Sequence, residues 1–380
     1  MSTDPAKTLC TVDTGYYADT VEWCPLQGFE SYLICGTYQL LERTDQENDC
    51  LASSCSPQAI KSKGDVRVGN VQLYHFDGAL GRLEKLQTLV TGGVLDTKWL
   101  PVSIGGCPVL GCVTSNGDLK IFILTEKKLT EAANFVASPG KLCLSMDWSP
   151  DCGKSFSQAT ISDSAGQISI CQFYEGAYNL QQILQWKGHQ YEAWITAFDA
   201  WNSAVVYSGG DDCFLRGWDT RTDCQKPIFT SKRHEMGVSS IQCNVRHEYI
   251  MASGSYDENI LVWDTRDTRQ PLCSAHPGGG VWRIKWHPLH GNSMLTACMY
   301  EGFHILDFVN ANGDQCLKMS LSYKEQASLA YGADWCRQKP LASLRSFEKT
   351  VQQSDENDES RDLVATCSFY DHALNLWLVK

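Results

Sequence analysis

Three stretches of this chain repeat one two-strand pattern, and that repeat restricts the fold more than any other feature. They are Tyr207-Ser-Gly-Gly-Asp-Asp-Cys-Phe-Leu-Arg-Gly-Trp-Asp219, Ala252-Ser-Gly-Ser-Tyr-Asp-Glu-Asn-Ile-Leu-Val-Trp-Asp264 and Ala365-Thr-Cys-Ser-Phe-Tyr-Asp-His-Ala-Leu-Asn-Leu-Trp377. Each reads as strand, tight turn, strand. In each, a turn carboxylate (Asp212, Asp257, Asp371) stands six residues before a tryptophan (Trp218, Trp263, Trp377). Successive side chains of a strand alternate between faces, so this spacing returns the indole beneath the turn. A unit this small cannot bury its own apolar faces; stacked copies can.

The pattern is the WD-repeat signature, and the expected fold is all-β, a seven-bladed propeller. A second marker gives the blade count: an inner strand that ends in an aromatic after a short alternating run. It occurs at Val21-Glu-Trp23, Thr97-Lys-Trp99, Met146-Asp-Trp148, Thr196-Ala-Phe198, Ile284-Lys-Trp286 and Ala333-Asp-Trp335, and Val238-Ser-Ser-Ile241 supplies the remaining unit without an aromatic. The wide gap between Trp23 and Trp99 holds a polar stretch near 42–69, and a second lies near 338–361. Both read as surface insertions in a single propeller spanning residues 1–380, because their polar residues cannot repay the entropy of ordering. The last unit ends at Trp377 with no room for a fourth strand, whereas Thr8 to Val12 is strand-like. The N-terminal strand is therefore expected to complete the last blade and close the ring, which removes free sheet edges.

Forty-four acidic against 32 basic residues leave a formal charge of −12. Such a chain repels phosphate backbones and anionic membrane surfaces and favours cationic partners, so nucleic acid is not an expected partner. No run of about 18 apolar residues occurs, and no membrane span is expected. Eighteen cysteines in a chain of 380 residues, with no apolar run between Met1 and Cys10, are expected as reduced thiols in the cytoplasm. Cys50 and Cys55, and Cys107 and Cys112, are spaced loosely like metal ligands, but no supporting histidines complete a tetrahedral set, and no metal site is expected. The glycine-rich phosphate loops, the Gly-x-Gly-x-x-Gly turn, the Gly-x-Ser-x-Gly elbow and the His-Glu-x-x-His helix are all missing from the sequence. The expectation is a monomer that needs no cofactor.

His189 and His234 each stand four residues before an inner-strand apolar position, Ala193 and Val238. They are expected to bond within their own blades, to Ser208 and Asp212 and to Ser253 and Asp257, because a buried polar group needs partners. Other positions have no such structural duty. In this fold the residue before each turn acid, and the residue one after the first apolar position of each inner strand, face the mouth of the central channel. The first set reads Asp211, Tyr256, Tyr300 and Tyr370. The second reads Asp19, Leu95, Leu144, Trp194, Ser239, Trp282 and Tyr331. Aromatics with nearby carboxylates suit a quaternary ammonium, and they equally suit a protein-binding face.

Longer motifs carry a resemblance that covers nearly the whole chain outside the two polar stretches. Asp19-Thr-Val-Glu-Trp-Cys-Pro25, Tyr-Glu-Ala-Trp194, Tyr-Ser-Gly-Gly-Asp-Asp212, Thr-Ser-Lys-Arg-His234 with Met-Gly-Val238, Gly-Ser-Tyr-Asp-Glu258, Gly-Gly-Val-Trp-Arg-Ile-Lys-Trp-His-Pro288, Tyr-Gly-Ala-Asp-Trp335 and Cys-Ser-Phe-Tyr-Asp-His372 resemble those of the diphthine methylesterases, WD-repeat proteins of diphthamide biosynthesis also called diphthine methyltransferases. The resemblance implies a hydrolase that demethylates the methyl ester of diphthine on translation elongation factor two, a substrate with a trimethylammonium group beside the ester. It assigns no catalytic residues, so the chemistry of ester hydrolysis supplies the candidates. These are Glu192 and Asp211 to activate water, His372 to shuttle a proton, Tyr256 or Tyr370 to donate to the oxyanion, and Cys367 as a direct nucleophile. Trp194, Trp282, Tyr300, Tyr331 and Asp19 are the substrate-binding candidates. A non-catalytic adaptor for a cationic protein remains the alternative.

Overall fold

The computed structural model describes residues 6–41, 66–152, 155–311, 313–337 and 362–379. Every regular element among them is a β-strand, and the strands form seven four-stranded antiparallel sheets. The inner strands are Tyr17–Trp23, Val94–Trp99, Cys143–Trp148, Ile195–Phe198, Val238–Cys243, Arg283–Trp286 and Ala330–Trp335, and they define blades 1 to 7. Each of the seven units expected from the repeat supplies one of them. The polar stretches near 42–69 and 338–361 lie outside the described residues, except that Val66 to Gly69 open the strand Val66–Asp77 of blade 1.

The core sits between the blades. Each of its apolar clusters joins two neighbouring sheets; Ile34, Leu73, Val94, Trp99 and Leu110 link blades 1 and 2, and Leu295, Phe303, Ala333, Trp335 and Trp377 link blades 6 and 7. The final junction, between blades 7 and 1, is built from Val21, Cys35, Tyr74, Cys367 and Leu376 and closes the ring. A strand with neighbours on both faces needs apolar residues on both, which is why Leu33 to Cys35 and Leu363 to Ala365 read as continuous apolar runs.

Closure uses the N-terminal segment as expected. Ala6–Asp13 pairs antiparallel with Ala373–Val379, with Thr8 opposite Trp377 and Val12 opposite Leu374. Thr11 Oγ1 donates to Asn375 Oδ1 at 2.7 Å, and Thr8 Oγ1 meets the Tyr323 hydroxyl at 2.9 Å. The aromatics that end the inner strands have their own reason. The indole N–H of Trp99 donates to the Glu22 carbonyl, that of Trp148 to Lys98, that of Trp286 to Gln242 and that of Trp335 to Lys285. Each of these four tryptophans thereby ties its blade to the preceding inner strand, whereas the buried Trp23 indole N–H makes no such bond.

The two histidines brace their blades. His189 Nε2 meets Ser208 Oγ at 2.7 Å and Nδ1 meets Asp212 Oδ1 at 2.8 Å, while the Trp218 indole donates to the same serine. Blade 5 repeats this with His234, Ser253, Asp257 and Trp263. In blade 7 no histidine takes part: the Ser368 hydroxyl donates to Asp371, and Trp377 donates to Thr366. Burial opposes ionisation of Asp257, but the His234 contact and the backbone N–H of Glu235 and Asn259 prevail and lower its pKa to about 2. A depressed carboxylate stabilises the fold above its unfolded pKa, about 3.8, and that contribution fades as pH falls toward the folded value. Asp257→Asn should therefore melt below the wild type at pH 6, and the gap should narrow by about pH 2.5. A gap that stays constant in thermal melts across this window would refute the role given to the carboxylate.

Candidate functional site

The central channel has two chemically different ends. Toward the ends of the inner strands it is filled by buried ions: Lys98 bridges Glu22 at 3.2 Å and Asp96 at 2.7 Å, Arg283 lies 3.4 Å from Asp96, and Lys285 pairs with Glu22 and, at 3.6 Å, with Asp334. Opposite charges offset the cost of removing each ion from water. A cavity of about 380 Å³ opens on this side, lined among others by Trp99, Trp148, Asp147 and Trp286.

At the other end, where the inner strands begin, an aromatic wall runs across blades 4 to 7 and into blade 1. Trp194 lies 6.2 Å from Tyr256 and 5.9 Å from Trp282 between ring centroids, and Tyr256 lies 6.0 Å from Trp282. Trp282 stacks on Tyr331 at 4.6 Å, Tyr331 meets Phe369 at 4.7 Å, and Phe369 meets Tyr17 at 4.9 Å and Tyr370 at 5.0 Å. Tyr17 in turn meets Tyr370 and His372, at 5.1 and 5.2 Å. The backbone holds this run in place: a turn is tied to the start of its own inner strand, as in Tyr256 N–H to Gly237 O and Phe369 N–H to Leu329 O, or of the next blade's, as in Val238 N–H to Gly210 O. Gly237 is needed for close approach, since a Cβ there would stand 2.8 Å from Asp211 Oδ1 and 3.3 Å from the Tyr256 ring.

The structure brings most of the candidate residues together. Trp194, Tyr256, Trp282, Tyr331 and Tyr370 form the wall. Asp211 lies on the rim, where Oδ1 accepts the Trp194 indole N–H at 3.2 Å. Glu192 is next to it, its carbonyl accepting the Asp211 N–H at 2.9 Å. His372 stands at the far end with a left-handed backbone, φ 57°, beside Tyr17 and 3.9 Å from Asp13. Tyr300 lies near enough to Tyr331 to act on its phenol but is 82% exposed and, with Tyr370, flanks a separate depression of about 350 Å³ over residues 326–329. Asp19 is the carboxylate of the inner layer, only 2% exposed, with Oδ1 unpartnered. Burial raises its pKa to about 7, against the pull of Arg283 and with a push from Asp96.

Cys367 does not reach the mouth. It is fully buried in the core between blades 7 and 1, and burial together with Cys35 holds its thiol well above the ordinary range, which disfavours a nucleophilic thiolate. Tyr17 and Phe369 were not among the expected mouth residues. Tyr17 opens its inner strand two residues before Asp19, and Phe369 precedes Tyr370. Both face the wall because the closing junction brings blade 1 against blade 7. Among the described residues no group of three or more histidine, cysteine or acidic side chains could hold a metal ion, and no helix is long and apolar enough to cross a membrane.

Comparison with known proteins finds relatives that match most of the chain. The family model "WD domain, G-beta repeat" matches residues 225–264. The Homo sapiens protein named diphthine methyltransferase is 37% identical, the match covering 97% of this chain and 98% of that protein. Its Mus musculus namesake is 42% identical over 87% of this chain and 69% of its own length. A diphthine methyltransferase homolog of Dictyostelium discoideum is 32% identical over 96% of both. A chain in the crystal structure of the mitotic checkpoint complex has a TM-score of 0.65 at 15% identity, covering 98% of this chain and 91% of that one, and shares the fold alone.

Proposed function

This chain belongs to the diphthine methyltransferase family, and from that premise we propose that it is a carboxylic ester hydrolase, which removes the methyl group from diphthine methyl ester on translation elongation factor two as a step of diphthamide biosynthesis. The observation that carries the reading is the continuous aromatic wall above a buried carboxylate. A trimethylammonium group has no N–H to donate, so hydrogen bonds cannot select it. Ring faces and a nearby negative charge can, at about 0.5 to 2 kcal/mol for each good contact. Trp194, Tyr256, Trp282 and Tyr331 supply the faces, and Asp211 and Asp19 the charge. The ester beside the ammonium is then held at the mouth, within reach of carboxylates and phenols that suit acyl transfer.

Hydrolysis rather than methyl transfer is favoured by the sequence, which has no glycine-rich turn to seat a methyl donor in the Rossmann manner. We place the reaction in the cytoplasm, where the free thiols of the described cysteines would persist. Purified protein with no added cofactor is expected to release methanol from the methylated factor, and exhaustive chelation is expected to leave turnover intact. Capture without methanol release would identify an adaptor instead, and activity lost on chelation and restored by one metal would reveal a metal-dependent enzyme.

A further inference from the structure

Two buried polar atoms in the aromatic wall lack hydrogen-bond partners, and they are of opposite kinds: the acceptor Asp19 Oδ1 and the donor Trp282 Nε1. The Trp282 indole N–H nonetheless faces Asp19 as a hydrogen-bond donor that favours its charged form, across a contact too poor in geometry to satisfy either atom. An unmade bond at a buried carboxylate is costly, and an acceptor and a donor held side by side, each unsatisfied, can both engage a third polar group placed against them. The other acids of the mouth differ. Asp211 already accepts the Trp194 indole, and Glu192 lies out on the rim beside it.

Resting on the hydrolase reading above, we infer that Asp19 is the general base of the reaction, with the Trp282 indole N–H as donor to the oxyanion. Asp19 Oδ1 takes a proton from water while the water oxygen bonds to the ester carbonyl carbon, and the carbonyl π pair moves onto oxygen beside Trp282. When the tetrahedral intermediate collapses, the carbon–methoxy bond breaks. The methoxy oxygen leaves as methanol with the proton that Asp19 held, and the new acid loses its own proton to solvent. The groups that face Asp19 set its protonation. Arg283 below favours the anion, while burial, Asp96 and the apolar walls oppose it, and Tyr256, Tyr331 and Cys367 are close enough to sense its charge. Burial holds the phenols of Tyr256 and Tyr331 far above their ordinary range, so they remain donors beside the base. With Asp19 half ionised near pH 7, kcat/KM should rise through neutrality, as a base that must be deprotonated requires.

The test is methanol release from the methylated elongation factor by wild type, Asp19→Asn, Glu192→Gln and Asp211→Asn, with affinity for the factor measured separately. Asp19→Asn should lose about 10²- to 10⁴-fold in kcat, well beyond the loss of capture that follows from removing its charge from the ammonium, and its pH profile should lose the limb near neutrality. The two rim variants should keep the limb of the pH profile that Asp19→Asn loses, and Asp211→Asn should instead weaken capture through the charge it removes from the ammonium. Formate added to Asp19→Ala should restore part of the turnover, which separates a missing base from a damaged fold. The inference is overturned if Asp19→Asn keeps kcat, if it loses capture alone, or if formate restores nothing in a variant that melts like the wild type. A wild-type protein that captures the factor and never releases methanol removes the hydrolase reading together with its base.

Discussion

Deleting Met1 to Val12 should lower the melting temperature by about 6 °C and leave a species that self-associates. The segment is not a tail. Ala6–Asp13 is the outer strand of blade 7, and Leu9, Cys10 and Val12 pack against the cluster that joins blades 7 and 1. Thr11 and Thr8 add hydrogen bonds to Asn375 and Tyr323. Partial burial of three apolar side chains, with the strand's ladder, is worth on the order of 5 kcal/mol, a large share of the 5–15 kcal/mol that holds typical folds. Truncation also bares the edge of Ala373–Val379, a hydrogen-bonding template for a second chain. Adding the excised strand back as a peptide should recover part of the lost stability. Calorimetry and size-exclusion chromatography decide the matter: an unchanged melting temperature with an unchanged elution volume would mean that blade 7 does not depend on closure.

The fold was open to sequence reasoning because its constraints are local and repeated. The six-residue spacing from Asp212 to Trp218 recurs at Asp257 and Asp371, and the inner strands carry their own aromatic mark, so blade count and closure followed from counting. The bracing of Trp218 and Trp263 by His189 and His234 was legible for the same reason. The site was legible only in part. Position within the repeat indicated which residues face the mouth, but not which of them meet. Tyr300 occupies the slot of Tyr256 and Tyr370, yet blade 6 turns it out to solvent. Tyr17 and Phe369 enter the wall through a contact between residues more than 350 positions apart in the chain, which no local pattern encodes. The open acceptor and donor at Asp19 and Trp282 were likewise hidden, because an unmade hydrogen bond is a property of three-dimensional packing.

Replacing Trp282 or Tyr256 by alanine should weaken capture of the methylated elongation factor about two- to thirtyfold per residue, the equivalent of one lost cation–π contact. Both rings belong to the wall, and Trp282 touches Trp194, Tyr256 and Tyr331 at once, so the larger loss is expected there. His189→Ala should behave differently. It removes the link between Ser208 and Asp212 in blade 4 and leaves buried polar groups unpaired, at a cost of about 1–3 kcal/mol of stability, while the wall, and with it capture at low temperature, survives. The same arrangement makes substrate and product unequal. Hydrolysis turns a neutral ester beside the ammonium into a carboxylate, which meets the negative charge of Asp211 on the rim and of Asp19 below, in a chain of net charge −12. The demethylated factor should therefore bind more weakly than the methyl ester, and the difference should shrink as salt screens the rim. Affinities of wild type and the three variants for the ester and acid forms, at low and moderate ionic strength, test all of this together. Equal affinities for the two forms, or aromatic variants that bind normally beside a folded His189→Ala that cannot bind, would move the site to another face of the propeller.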